Sequence, residues 1–342
     1  MSIFELVTSE QIVAYWEIRL NQLEALLGDE LFPADKKLGL DLKWIKGSKG
    51  LPIVLKPSAF DVAAVKRPRI GFDKVQTQMP FFKESMMVDE EMRQQLNMVL
   101  ETGNQAYIDS IMNRVFDDEM QLLTGARAQR ERMKMMLLTT GIISISANGQ
   151  DYDYDYGMED VQKVDASIPW SDPDSTIVDD IRRWMKDMYK RTGQRPQRAV
   201  MTLSTFEYFM NNTLIRNAIL GNDTAVPVME EQVVSYILRA VKLNVAIYDQ
   251  MVMDEHGNEV QLVPDDLFVM FPSGPLGTGW FGTTPEESDL MTGSAANVTI
   301  TDLGVAVTTS KKIDPVNVDT KVSMIFLPSF EQIDKVIIAS VA

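Results

Sequence analysis

From Asp89 to Thr140 the chain is rich in Glu, Gln, Arg, Met and Leu, interrupted at Gly103. Beyond that glycine, Ile108, Ile111, Met112, Val115 and Met120 recur on one stripe at helical spacing, so the sequence predicts a helix over Ile108 to Thr140. About 30 helical residues span roughly 45 Å. A helix of that length is a strut, longer than a small globular domain needs. The basic run "RAQRERMK" is expected to close it, because positive charge is favoured at a helix C-terminus.

Directly after Gly141 comes "IISISANGQDYDYDYG". Asn148-Gly149 is a strong two-residue hairpin signal, and it sets the pairing. Ala147 then faces Gln150, Ser146 faces Asp151, Ile145 faces Tyr152, Ser144 faces Asp153 and Ile143 faces Tyr154. One face of the ribbon is apolar and aromatic, the other polar, as a half-buried ribbon requires. The rival reading is a calcium-binding module at Asp151–Asp155, with Asp151, Asp153 and Asp155 at ligand positions one, three and five. It fails further on, where position six is Tyr156 instead of glycine and position twelve is Gln162 instead of glutamate. The stretch reads as a hairpin.

Charge is distributed unevenly. Leu42 to Ser85 holds nine basic residues (Lys43, Lys46, Lys49, Lys56, Lys66, Arg67, Arg69, Lys74 and Lys83) against three acids, Asp61, Asp73 and Glu84. The segment is therefore +6, and with a total of −16 the remainder carries −22. It is punctuated by Pro52, Pro57, Pro68 and Pro80, shows no helical period, and contains the strand-like clusters "LPIVL" and "FDVAAV". Such a stretch is either a solvated loop or a projecting arm that lies on the acidic surface of a neighbouring copy. Folded as an out-and-back ribbon, limbs of about 20 residues reach on the order of 60 Å.

The other elements give an α+β pattern without regular βαβ alternation. "TSEQIVAYWEIRLNQLEALLG" opens with a capping box, Thr8 with Gln11, and carries Ile12, Trp16, Leu20, Leu23 and Leu27 at helical spacing up to a stop at Gly28. Ile177, Ile181, Trp184 and Met188 form another helical face that ends at Gly193. "RAVMTL" is a strand, followed by a capping box of Ser204 and Glu207 for a short helix from Thr205 to Met210, with Leu203 and Tyr208 as its staple. A helix from Glu230 to Val241 precedes a strand "NVAIYDQMVM", which returns through the turn "DEHGNE" to "VQLV". Closing strands fall around Val305–Thr309, Lys321–Phe326 and Lys335–Val341.

Chemistry is sparse. "GTGWFG", Gly277 to Gly282, formally matches a dinucleotide fingerprint and leaves a nucleotide-dependent enzyme as an alternative. That fingerprint needs a strand-to-helix turn holding a pyrophosphate. Here "TTPEESDLMTG" follows, without an apolar helical stripe, so a Gly-rich surface loop is expected. The one histidine, His256, falls on a hairpin turn, and no HExxH, CxxC or P-loop sequence occurs. There is no cysteine, no apolar run long enough to cross a bilayer and no basic-then-apolar start, which fits synthesis in a cytoplasm. The net charge disfavours general nucleic-acid binding. No catalytic residue, metal site or cofactor is expected.

The order and wording of several stretches resemble the major head proteins of lambda-like tailed bacteriophages, the major capsid protein E family with its HK97-type fold. They are "TSEQIV", "DELFPADKKLGLDLKWIKG", "RERMKMMLLTTGIISISANGQDYDYDYGM", "DPDSTIVDDIRRWM", "HGNEVQLVPDDLFVMFPSGPLG" and "KVSMIFLPSFEQIDKVIIASVA", collinear over almost the whole chain. The resemblance implies an N-terminal arm (1–41), an extended β-loop (42–85), a peripheral domain with a long spine helix (86–164 and 298–342) and an axial domain (165–297). It implies self-assembly through capsomers, pentamers and hexamers, into an icosahedral shell around double-stranded DNA, without sequence-specific binding. It also implies partners: a scaffold, a portal and possible decoration protein, with assembly in the host cytoplasm and residence in the virion. Together with the charge pattern it marks Lys43, Lys46, Lys49, Lys56, Lys66, Arg67 and Arg69 as inter-subunit contacts.

Overall fold

The structure is a computed structural model that describes residues 7–46, 73–88, 105–221, 226–292, 297–313 and 316–342, with five further positions between 90 and 98. The described helices are α1 (Ser9–Leu20), α2 (Leu27–Leu31), α3 (Gln105–Thr140), α4 (Ile177–Thr192), α5 (Leu203–Asn211), α6 (Thr213–Leu220), α7 (Glu230–Val241) and α8 (Pro285–Thr292). The strands are β1 (Ala34–Lys36), β2 (Asp41–Lys46), β3 (Asp73–Gln78), β4 (Phe81–Met87), β5 (Ile142–Ala147), β6 (Gln150–Asp155), β7 (Lys163–Asp165), β8 (Arg198–Met201) and β9 (Asn244–Ile247). They continue with β10 (Met251–Met253), β11 (Glu259–Gln261), β12 (Leu267–Phe271), β13 (Thr278–Phe281), β14 (Asn297–Thr301), β15 (Val305–Ile313), β16 (Val316–Ser329) and β17 (Ile337–Ser340). The fold is mixed α+β. The described residues divide into two compact units, the first drawn from Met1–Lys43, Gln76–Met133 and Thr278–Ser329, the second from Trp44–Val75, Lys134–Gly277 and Phe330–Ala342.

The first unit is built on a sheet ordered β1-β13-β16-β15-β14, with β4 also paired to β16. β16 runs antiparallel to β15 from Val305↔Met324 to Ile313↔Val316, to β4 from Asp319↔Met87 to Ile325↔Phe81, and to β13 from Thr278↔Ser329 to Phe281↔Phe326. Val322, Met324, Ile325, Phe326 and Leu327 are all buried, the continuous apolar run of a strand covered on both faces. α1 lies against β14, where the Ser9 hydroxyl is 2.7 Å from Thr299 Oγ1 and Ile12 and Trp16 are buried.

Thr8 caps α1 as its sequence signals, accepting the Gln11 N–H at 3.3 Å. The helix stops at Leu20 and not at Gly28, and Leu27–Leu31 forms a separate short helix. α3 holds this break: Arg127 donates to the Glu24 carbonyl, and the Gly28 N–H donates to the buried Glu131 carboxylate at 2.8 Å. Gly28 is thus an anchored first-turn residue instead of a stop.

α3 is 36 residues long, and Ile111, Met112, Val115 and Met120 of its anticipated stripe are buried, with Ile108 half-buried. The basic run does not close it. Arg130 sits mid-helix, paired with Asp302 at 2.8 Å and stacked 5.4 Å from the Phe281 ring. Tertiary pairing has claimed the charges that the sequence reading assigned to the macrodipole. The helix ends ten residues later, where Thr140 Oγ1 donates back to the Met136 carbonyl and Gly141 turns at φ +78°.

In the second unit the hairpin has the register deduced from its turn, Ala147↔Gln150 through Ile143↔Tyr154, with Ile142↔Asp155 added. Asn148 and Gly149 both adopt positive φ, 53° and 74°, as a type I′ turn demands. The main sheet, ordered β7-β17-β12-β8-β9, carries a core of Trp170, Ile181, Trp184, Phe206, Phe209 and Phe268. Trp170 packs 5.8 Å from Trp184 and edge-on to Phe209 at 5.0 Å, contacts worth about 0.5–1.5 kcal/mol each beyond area burial. α4 buries the expected face and ends at Gly193 with φ +72°, and α7 has the expected bounds.

Two local readings shift here. α5 is capped by Thr202, which accepts the Thr205 N–H at 3.3 Å, and not by Ser204 with Glu207. Tyr208 bonds to Asp266 at 2.6 Å instead of stapling Leu203, which is exposed. The single strand read from "NVAIYDQMVM" is two: β9 runs parallel to β8, while β10 pairs with β11 in a separate hairpin. β17 lies between β7 and β12.

In the first unit Glu119 on α3 is 2% exposed, and burial, opposed by the Thr320 hydroxyl and reinforced by the Asp118 and Asp319 carboxylates, pushes its pKa up to about 7 from the ordinary 4.5. A raised acid stabilises the folded state in its protonated form. Its contribution is complete below pH 4.5 and is lost as pH rises through about 7, a swing of roughly 3 kcal/mol. Glu119→Gln is therefore expected to raise the melting temperature at pH 8 and leave it nearly unchanged at pH 4; equal shifts at both would contradict the assignment.

Candidate assembly surface

The basic segment begins and ends in described structure. β2 and β3 pair with one another as a two-stranded sheet, so 41–46 and 73–78 form a stem. Lys43 on β2 is exposed. Lys46 closes the same strand. Lys49, Lys56, Lys66, Arg67 and Arg69, with the clusters "LPIVL" and "FDVAAV", lie outside the described residues. By Phe81 the chain has joined β16 in the first unit's sheet, and Lys83 stacks 5.8 Å from the Phe81 ring.

The aspartates of the hairpin do not converge. Asp151, Asp153 and Asp155 alternate along β6 on its exposed face, with successive carboxylates about 7 Å apart, the repeat of a strand. Asp151 accepts from Ser146, and Asp155 accepts the Gly157 N–H at 2.7 Å. On the other face Ile143 and Ile145 are buried, and Tyr152 and Tyr154 stack at 6.3 Å. Burial pushes the Tyr154 phenol up to about 12. No group of three or more His, Cys, Asp or Glu able to hold a metal occurs among the described residues.

"GTGWFG" is not a surface loop. Thr278–Phe281 is β13, inside the first unit's sheet, with Phe281 buried at 5.1 Å from Phe326. Its last glycine is required by packing: a Cβ on Gly282 would sit 2.6 Å from Ile325 Cγ2 and 2.9 Å from the Gly39 carbonyl. A helix, α8, does follow from Pro285, although the stretch shows no apolar helical stripe. Its first turn, however, presents carboxylates where a dinucleotide site needs room for phosphate. Glu286 is held by Lys321 at 2.6 Å and Glu287 by Lys36 at 2.5 Å. Burial raises Glu286, but Lys321, Ser323 and its own backbone N–H outweigh that and hold its carboxyl below the ordinary range.

These two ion pairs escaped the sequence reading because their partners are far apart in the chain and no spacing signals them. His256 is exposed on the β10–β11 turn, where its backbone N–H donates to Asp254 at 2.9 Å. No described helix is long and apolar enough to cross a membrane. Gly282→Ala is expected to destabilise the fold by about 1–3 kcal/mol in urea denaturation, the cost of overpacking. An unchanged midpoint would mean that the glycine serves something other than packing.

A sequence model of phage major capsid protein E matches residues 8–341. Among solved structures, the chain resembles a protein described as the capsid protein of a prophage of Escherichia coli CFT073, with a TM-score of 0.56 and 13% identity over 79% of this chain and 80% of the other. It also resembles a phage-related protein of Bordetella bronchiseptica RB50, with a TM-score of 0.53 and 10% identity over 92% of this chain and 91% of the other. No curated protein matches it. At these identities the structural likeness speaks for the fold, and the near-complete family match speaks for membership. The chain belongs to the phage major capsid protein E family, with the HK97-like fold and a role in forming the capsid shell of the virion.

Proposed function

We propose that each copy lays its basic ribbon, 42–85, across the acidic surface of the next, and that this physical contact, with no reaction, orders the shell. The observation that carries the reading is the charge division, +6 in the ribbon against −22 elsewhere, on a stem of paired strands. Lys43, Lys46, Lys49, Lys56, Lys66, Arg67 and Arg69 are the contacting cations. Opposite charges across an interface mainly set register and speed encounter. Each contact is weak and salt-sensitive, and many per subunit combine by multivalency into a stable particle. Heterologous contacts of this kind close into pentamers, hexamers and an icosahedral shell where the rotations permit.

In this reading 1–41 is the N-terminal arm, 86–164 with 298–342 the peripheral domain and 165–297 the axial domain. An acidic inner wall encloses double-stranded DNA without gripping it, because like charges repel. The 22 methionines help one sequence pack in slightly different environments, since methionine is unbranched and adaptable. A scaffold, a portal and a decoration protein are the further partners, and assembly takes place in the host cytoplasm.

Deleting Lys46 through Arg69 and bridging the stem with a short Gly-Ser turn tests the reading. The expected product keeps the circular dichroism and melting temperature of the intact chain and forms no particles on electron microscopy grids. Undiminished particle yield from a folded deletion variant would end the proposal.

A further inference from the structure

In the second unit, three stretches meet around an open crevice of about 520 Å³: the turn after α4, the residues that follow β12, and the segment 332–335 that leads to β17. Its lining is polar, with Arg195 and Lys335 as the charged groups and Gln197, Ser273 and Gln332 as the hydrogen-bonding ones. No acid lines it. In a chain with 49 acidic and 33 basic residues, two cations facing a crevice without a carboxylate run against composition.

Neither cation is neutralised among the described residues. Arg195 lies 5.3 Å from the centre of the Tyr189 ring, a cation–π contact that leaves its charge without an acidic partner among the described residues. Lys335 donates to an uncharged partner, Gln332 Oε1, at 3.3 Å. Burial lowers the pKa of the Arg191 guanidinium, and the Glu159 and Asp334 carboxylates oppose that. Several cations elsewhere in the structure do have acidic partners: Arg130 with Asp302, Arg183 with Asp180, Lys36 with Glu287 and Lys321 with Glu286.

The backbone around the crevice is held by hydrogen bonds. Gln332 donates from Nε2 to the Pro275 carbonyl at 2.7 Å and from its backbone to Leu276 at 2.9 Å. Gln197 donates its N–H to Phe271 at 3.0 Å and accepts that of Asn244 at 2.9 Å. Pro196 and Pro272 are buried. Two cations and two carboxamides lining one crevice suit a carboxylate, which an arginine takes in bidentate fashion.

We infer that this crevice receives an aspartate or glutamate side chain of a neighbouring copy, making a second charged contact between subunits beside the basic ribbon. The inference rests on the shell-forming role, which places identical copies side by side. The choice of occupant follows from charge: outside the ribbon each copy carries −22, so carboxylates are what a neighbour has most to offer.

Zero-length carbodiimide coupling, which joins an amine to a carboxylate in contact with it, tests this on assembled particles made from an equal mixture of ¹⁴N- and ¹⁵N-labelled chains. Mass spectrometry is expected to find Lys335 joined to an Asp or Glu peptide of the other isotope in particles and not in dissociated subunits. Particles of Arg195→Gln are expected to fall apart at several-fold lower salt than the wild type, and those of Arg195→Lys close to the wild-type value. Particles that form normally yet give only same-isotope Lys335 products, or Arg195→Gln particles with unaltered salt resistance, would overturn the contact while leaving the assembly role intact. A wild-type chain that forms no particle under any condition would overturn the assembly role and this inference with it.

Discussion

Strand β16 is the element to which distant parts of the chain are tied. Over its 14 residues it pairs with β15 from Val316 to Met324, with β4 at the end of the basic segment, and with β13, which in turn carries β1 from near the N-terminus. None of β4, β13 and β1 is stable alone, since short strands need a partnered, buried face. Their positions therefore depend on one strand whose side chains from Val322 to Leu327 are buried. β3 leads into β4 within a few residues, so the end of the basic segment is paired to the same strand.

What was legible in the sequence was local. The hairpin register followed from Asn148-Gly149 alone, because a two-residue turn dictates the pairing on either side of it. α4 and α7 were legible because their apolar faces and caps lie within one element. What was not legible depended on partners far along the chain. "GTGWFG" looks like a loop until Phe326 and Ile325 are placed against it, when it becomes a strand whose last glycine leaves room for a neighbour. The break after Leu20 is stabilised by Arg127 and Glu131 on α3, more than a hundred residues away. Arg130 carried a positive charge that fits a helix end equally well, and Asp302 decided its role. Thr202 was missed as a cap because the sequence reads it as part of the strand "RAVMTL", whereas β8 ends at Met201.

The candidate sites separate along the same line. Where the sequence suggested chemistry, the structure spends the groups on architecture: the aspartates of β6 decorate one face of a ribbon, and the glutamates opening α8 are clamped by lysines. Where it suggested contact, Lys43 is exposed on the stem. Arg195 and Lys335, which line a polar crevice, carry no signal in the sequence.

The account turns on identical copies closing into a particle through salt-sensitive contacts. Electron microscopy of the purified full-length protein, with any co-expressed scaffold, across a series of salt concentrations bears on this most directly. Uniform closed shells at low salt that give way to free subunits as salt rises are the expected result. A small discrete oligomer of the same size at every salt concentration would contradict it.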